Sequence, residues 1–198
     1  MYKELLKINN EDPNQITWVS ETRKLLESSG FGYVWQQQFV ENESQFISMF
    51  EKRLCDMYRQ NWLSQIHLTS EGRLYRHIKM QFGLESYLFM NNKAFRMAIT
   101  KIRLSSHIFM IERGRWGPNK LPRNERLCQV CNCIEDEFHV LIECPFFNNE
   151  RSGLLNKVLR QNPNVYNFYE YLNSENIEEQ KKLGLLCLKI HIEYRKMM

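Results

Sequence analysis

At 198 residues the chain has room for one medium domain, or for one domain with a small metal module, and not for a large multidomain enzyme. With 43% apolar and 25% charged residues it is unlike a disordered segment, and 8 Gly and 5 Pro undersupply the tight turns of an all-β sandwich, so composition favours helices. The net charge of +4 is concentrated: residues 93–126 hold nine basic and two acidic side chains, +7, whereas residues 1–92 sum to −1 and residues 127–198 to −2.

The opening run MYKELLKINNEDPNQ has no apolar core of signal-peptide length. No stretch approaches the ~18 uninterrupted apolar residues of a membrane span. The expectation is a soluble intracellular protein, nuclear or cytoplasmic, with no membrane partner. Asp12-Pro13 opens a segment with Trp18, Val19, Thr22, Leu25 and Leu26 at helical spacing, closed by Ser28-Ser29-Gly30. Phe31–Gln38 reads as a short aromatic turn or helix. Asn42 to Ser44 then cap a long stripe, Phe46, Ile47, Phe50, Leu54, Met57, Tyr58, Trp62 and Ile66, the longest helix of the N-terminal part. Core packing is the expected role of Trp18, Trp35 and Trp62. Ser70 can cap a helix carrying Leu74, Ile78 and Phe82 and ended by Gly83; Leu84–Met90 and Ala94–Leu104 continue the pattern.

Beyond His107 the periodicity breaks. Residues 111–133 hold Gly114, Gly117, Pro118, Pro122 and three cysteines, which predicts loop and tight turns. Glu135-Asp136-Glu137 suits the positive end of a helix dipole, and that helix should stop at Cys144-Pro145. Phe146–Arg160 and Asn164–Leu172 read as helices separated by Pro163, and Ile177–Met197 as a last helix with Leu183, Leu186, Cys187, Ile190 and Tyr194 on one side. The fold class expected is all-α, a bundle-like array of helices with a small CCHC zinc module embedded in it. The division along the chain is 1–92 (N-terminal helical region), 93–152 (basic helix and loop plus zinc module) and 153–198 (C-terminal helices packing on the rest), folding as one cooperative unit.

Of six cysteines, four crowd into positions 128, 131, 133 and 144, a clustering that in a reducing compartment points to metal binding rather than disulfides. In Cys128-x2-Cys131-x7-His139-x4-Cys144, two thiolates can face one cation from a tight turn, and His139 and Cys144 can complete a tetrahedron. Three sulfurs and one imidazole suit a single structural Zn2+. Cys133 is a spare thiol or an alternative ligand, because Cys131-x-Cys133 is too tight for both to partner Cys128 easily. Three thiolates on a dication leave the site at −1, a charge that Arg123 and Arg126 could offset.

The spacing resembles, without matching, the retroviral zinc knuckle, whose middle gap is shorter than seven. It is more similar to the zinc-binding segment after the polymerase domain in reverse transcriptases of non-LTR retrotransposons. That resemblance rests on Ile99–Ser105, Glu112–Trp116, Pro122–Cys131 and above all Glu135–Pro145, Glu-Asp-Glu-Phe-His-Val-Leu-Ile-Glu-Cys-Pro, with weaker likeness at 17–19, 29–35 and 60–62. It does not extend to the polymerase itself: the chain has three Asp, Asp12, Asp56 and Asp136, and no Asp-Asp pair. Nor are clustered carboxylates for two-metal phosphoryl chemistry visible.

What the resemblance leaves is the nucleic-acid-associated C-terminal part of such a protein. The expectation is a non-enzymatic, zinc-stabilised binder of RNA or DNA. Lys101, Arg103, Arg113, Arg115, Arg123 and Arg126 would contact phosphates, and Trp116 would stack on a base. The alternatives are a zinc-structured module for a protein partner, with those arginines serving the fold, and a mobile-element remnant without function.

Overall fold

The computed structural model describes residues 2–12, 16–68, 72–116 and 119–198. Pro13, Ser70, Gly117 and Pro118, used above as helix or turn signals, lie outside the described residues. Among those described, the only extended pairing is an isolated antiparallel bridge between Leu127 and Ile134, and all other regular structure is helical. The chain is all-α. Its internal contacts divide it into Met1–Gln65 and Ile66–Met198.

The first unit contains α1 (Tyr2–Glu11), α2 (Trp18–Ser28), α3 (Gly32–Gln37) and all but the last three residues of α4 (Glu43–Leu68). The sequence pattern gave no expectation for α1. A capping box fixes the start of α2: Thr17 Oγ1 accepts from the Ser20 N–H at 3.1 Å, and Ser20 Oγ accepts from the Thr17 N–H at 2.9 Å. The helix ends where Gly30 takes a φ of +87°, which lets the Phe31 N–H reach back to the Leu26 carbonyl at 2.8 Å. Phe31 is thereby delivered edge-on to Phe46 and Phe50, at centroid distances of 5.6 and 5.4 Å. Val19, Leu26 and Phe31 are buried, but no residue of α4 is, and Trp18 is 54% exposed rather than a core residue.

The second unit contains α5 (Arg73–Ile78), a 3-10 turn (Ser86–Phe89), α6 (Lys93–Arg103), α7 (Met110–Arg113), a 3-10 turn (Arg123–Glu125), a π-helical turn (His139–Glu143), a 3-10 turn (Pro145–Phe147), α8 (Asn148–Arg151), α9 (Lys157–Gln161), α10 (Val165–Leu172) and α11 (Ile177–Met197). Asparagine side chains cap α6, α9, α10 and α11 through Asn92, Asn156, Asn164 and Asn176. Two expected helices are shorter than their patterns. α5 stops at Ile78, leaving Phe82 about half exposed, and the run 146–160 is interrupted at 152–156, where Gly153 turns left-handed at φ +73°.

The core of this unit is continuous from α5 to α11. It includes Ile78, Ile99, Ile102, Phe109, Leu141, Phe147, Leu159, Phe168, Leu172, Leu183, Leu186 and Ile190, together with Cys128 and Cys144. The face expected for α11, Leu183, Leu186, Cys187, Ile190 and Tyr194, is buried in full. α11 lies along α6, and Gly184 permits the approach: a Cβ there would stand 2.5 Å from the Cβ of Phe95.

Arg103 stitches three segments together. It is 2% exposed; its Nε meets Glu85 at 2.6 Å, and its Nη atoms donate to the Leu172 carbonyl (2.6 Å) and Asn173 Oδ1 (3.1 Å). Asn173 Nδ2 in turn donates to the Ile78 carbonyl at 2.8 Å, closing α5 against the end of α10.

Candidate metal centre and its basic surroundings

Two local folds bring the four sequence-predicted ligands together. The first is a knuckle. The Leu127–Ile134 bridge holds its base, the Cys128 N–H donates to the Cys133 carbonyl (2.8 Å), the Asn132 N–H donates to the Cys128 carbonyl (2.8 Å), and Asn132 turns left-handed at φ +53°. Asparagine tolerates that conformation. The turn presents Cys128 and Cys131 on one side.

The second is the π-helical turn. In an α-helix five residues sweep about 500°, which would leave His139 and Cys144 about 140° apart around the axis. Here the Cys144 N–H donates to the His139 carbonyl five residues back, at 2.7 Å, and the wider turn takes up the extra residue. The helix expected from Glu135 to Cys144 starts at 137 and ends at its C-cap Cys144, and it widens over 139–143 into a turn that puts both ligands on one face. Pro145 follows at once and prevents continuation.

The donor atoms of Cys128, Cys131, His139 and Cys144 all lie within 4.8 Å of one another. Cys144 Sγ is 3.9 Å from Cys128 Sγ and 3.8 Å from Cys131 Sγ. A Zn–S bond of about 2.3 Å implies a tetrahedron edge of about 3.8 Å, so the thiol spacing fits a zinc ion. The cluster is poised to coordinate one Zn2+ as a closed three-sulfur, one-nitrogen site. Cys128, Cys144 and His139 are buried and belong to the wall of the core, so the module is continuous with the helices. Burial, reinforced by the Cys128 charge, pushes the Cys144 thiol up to about 12, and burial also raises the Cys131 thiol. Without a metal these thiols stay protonated; binding of the ion must displace their protons.

Cys133 stands outside the four-atom cluster. It is exposed, with its Sγ 3.3 Å from His139 Nδ1 and 3.6 Å from Nε2, along the edge of the ring. Glu143 lies 3.6 Å from the same Nδ1.

A buried cation that the sequence reading missed, Arg151, couples electrostatically to Cys131 and Cys144. Its buried guanidinium donates to the Cys144 carbonyl, to Asn148 Oδ1 at 2.6 Å and to the Val140 carbonyl at 3.4 Å. Arg126, one of the two arginines expected to offset the thiolate charge, instead donates to the Leu121 carbonyl (3.0 and 2.8 Å) and the Ile111 carbonyl (2.9 Å), and Arg123 is exposed.

The acidic run at the mouth of the π turn does more than face a helix dipole. Asp136 Oδ1 accepts the His139 N–H at 2.9 Å. Glu135 turns inward, accepting from the Met110 N–H at 2.6 Å and from the Tyr194 hydroxyl of α11. Glu137 accepts from Ser105 and pairs with His107, both at 3.0 Å; those hydrogen bonds outweigh its burial and lower its pKa.

The basic residues expected to face phosphate divide into two groups. Arg103 is inside the protein, and Arg126 is committed to backbone carbonyls. Arg115 Nη1 donates to both carboxylate oxygens of the buried Glu112 at 3.1 and 2.8 Å. The exposed group is Arg113 and Arg123, with Lys101 half-buried on α6; Lys120, which is not among the expected contacts, is exposed as well. Trp116 is 56% exposed, with the Arg115 guanidinium 5.4 Å from its ring centre.

No protein-family model, no curated protein and no solved structure matches the chain. Its class follows from the fold and the site: an all-α protein with a compact CCHC-type metal-binding cluster built into its core. No helix among the described residues is long and apolar enough to cross a membrane.

Proposed function

We propose that this protein is a zinc-stabilised binder of RNA or DNA, without catalysis of its own, of the kind that forms the zinc-binding C-terminal part of non-LTR retrotransposon reverse transcriptases. The observation that carries the reading is the closed CCHC cluster with an exposed tryptophan and exposed cations on the segment leading into it, Arg113, Trp116, Lys120 and Arg123. A closed four-ligand site leaves the zinc no position for substrate, which suits a structural role. Cations beside an accessible indole supply the two attractions a nucleic-acid strand offers, phosphate charge and base stacking. Arg103 and Arg126 belong to the fold in this reading, and Arg115 acts through the Trp116 ring.

The test is fluorescence anisotropy of zinc-loaded protein with labelled hairpin RNA, single-stranded DNA and duplex DNA at two salt concentrations. Binding to at least one, weakening with salt and with Arg113→Ala plus Arg123→Ala, is expected. Binding to none of the three would refute the reading and turn attention to an acidic protein partner.

A further inference from the structure

Three guanidiniums outside the metal cluster converge on a cavity of about 280 Å³ that opens between α5, the 3-10 turn at Arg123 and α10. Arg73 and Arg76 come from α5 and Arg123 from the 3-10 turn; the aromatic wall is Tyr169, whose ring stacks on His77 with centroids 5.9 Å apart. The cavity also has three carboxylates, and each is already engaged by the protein's own donors. Glu112 is held by Arg115, Asp136 caps His139, and Glu137 is held by Ser105 and His107. The arginines meet these acids only through their charge, Arg73 with Glu112 and Arg123 with Asp136. Arg73 Nη1 is shut off from solvent and has no hydrogen-bond partner among the described residues. A buried guanidinium N–H left without an acceptor is costly; the nearby cations add to that cost and Glu112 offsets only part of it. Burial first, and then the charges of Arg123, Arg115 and Arg76, depress the Arg73 pKa, with Glu112 opposing them in part.

An arrangement that is unfavourable when empty and would be relieved by an anion is the mark of an anion site. The planar fork of arginine fits the oxygens of a phosphate, and a flat ring at the wall suits the nucleoside attached to it. We propose that this cavity binds a phosphate group of a nucleic-acid strand, with Arg73 as the buried donor, Arg76 and Arg123 closing on the remaining oxygens and Tyr169 against the adjoining base or sugar. The inference rests on the nucleic-acid reading above and gives it a particular locus. It moves the principal contact from the loop before the knuckle to α5, a helix that lies outside the basic stretch 93–126.

The experiment uses the zinc-loaded full chain and a fluorescein-labelled single-stranded oligonucleotide, with inorganic phosphate as competitor against chloride at matched ionic strength. Arg73→Gln and Arg76→Gln are each expected to weaken binding about tenfold, the loss of a charge-assisted contact, and to lower the slope of log affinity against log salt by about 0.7. Arg73→Lys, which keeps the charge without the fork, should recover part of the affinity, while Lys182→Gln, at an exposed position of α11 outside both the cavity and the loop before the knuckle, should change it less than threefold. Zinc content and far-ultraviolet circular dichroism check that each variant folds; should Arg73→Gln not fold, Arg76→Gln and Arg123→Gln carry the test. Binding by Arg76→Gln and Arg123→Gln within twofold of the parent would overturn the cavity proposal and leave the nucleic-acid reading standing. If the parent binds no nucleic acid, that reading fails. Calorimetry with inorganic phosphate then decides separately: binding lost in Arg76→Gln upholds a phosphate site, and no binding overturns it.

Discussion

Arg103 and Arg113 lie in the same basic stretch, yet their replacement should have opposite kinds of consequence. Arg103→Ala removes a guanidinium that is 2% exposed, pairs with Glu85 at 2.6 Å, donates to Leu172 and Asn173, and stands 5.4 Å from the Tyr87 ring centre. Breaking one side of a buried ion pair costs about 3–5 kcal/mol, because the abandoned charge remains desolvated. Lys79 lies 3.4 Å from the other oxygen of Glu85 and compensates in part, so the lower end, about 3 kcal/mol, is expected. Combining Arg103→Met with Glu85→Leu should recover part of the loss, since the Glu85 carboxylate is no longer orphaned, although Lys79 then keeps only its bond to the Gly83 carbonyl. Arg113→Ala, at an exposed position, should cost no more than about 0.5 kcal/mol. Urea unfolding of the zinc-loaded protein, followed by circular dichroism, measures all three. An Arg103→Ala variant within about 0.5 kcal/mol of the parent, the range of ordinary surface changes, would refute the assignment of Arg103 to the core.

Gly184→Ala should destabilise by about 1–3 kcal/mol despite alanine's better helix propensity, because the added Cβ meets Phe95 at its Cβ and backbone; a thermal midpoint at or above that of the parent would contradict the packing of α11 on α6. Burial raises the Tyr171 pKa, so the folded state keeps a proton that the unfolded chain releases above about pH 10, and stability must fall as pH rises through that range. Tyr171→Phe should lose about 1 kcal/mol at pH 8 with the hydrogen bond to the Leu154 carbonyl, yet lose less than the parent between pH 9 and 11; equal slopes of urea midpoint against pH would count against it. Cys133→Ser should retain a full equivalent of zinc by atomic emission, whereas Cys144→Ser should not, since Cys133 lies outside the cluster of donors and Cys144 within it.

The sequence pattern read well wherever one local signal decided the outcome. The starts read at Ala94 and Ile177 fall within one residue of α6 and α11, which Asn92 and Asn176 cap through chemistry complete within three residues, whereas the helix of the segment opened at Asp12-Pro13 begins at Trp18, capped by Thr17 and Ser20. The ligand set was legible because few arrangements other than a metal site need two cysteines three apart, with a histidine and a third cysteine close behind. The π turn was not: only the fivefold spacing from His139 to Cys144 hints at it, and spacing of two residues alone does not choose between a widened turn and a broken helix. Long-range partners were also invisible. Arg103 and Arg126 look like surface cations in the chain, and their acceptors at Leu172 and Ile111 depend on how distant segments meet. The same holds for Arg73 and Arg76, far in sequence from Arg123 but on one cavity with it.

The most direct measurement is the electronic spectrum of the protein reconstituted with Co2+ in place of Zn2+, titrated to its end point and then challenged with zinc. One equivalent of cobalt, intense visible bands of tetrahedral symmetry with thiolate charge-transfer absorption, and displacement by one equivalent of zinc are the expected result for the three-sulfur, one-nitrogen site. Weak octahedral bands, or no thiolate absorption at saturation, would contradict a metal centre formed by Cys128, Cys131, His139 and Cys144.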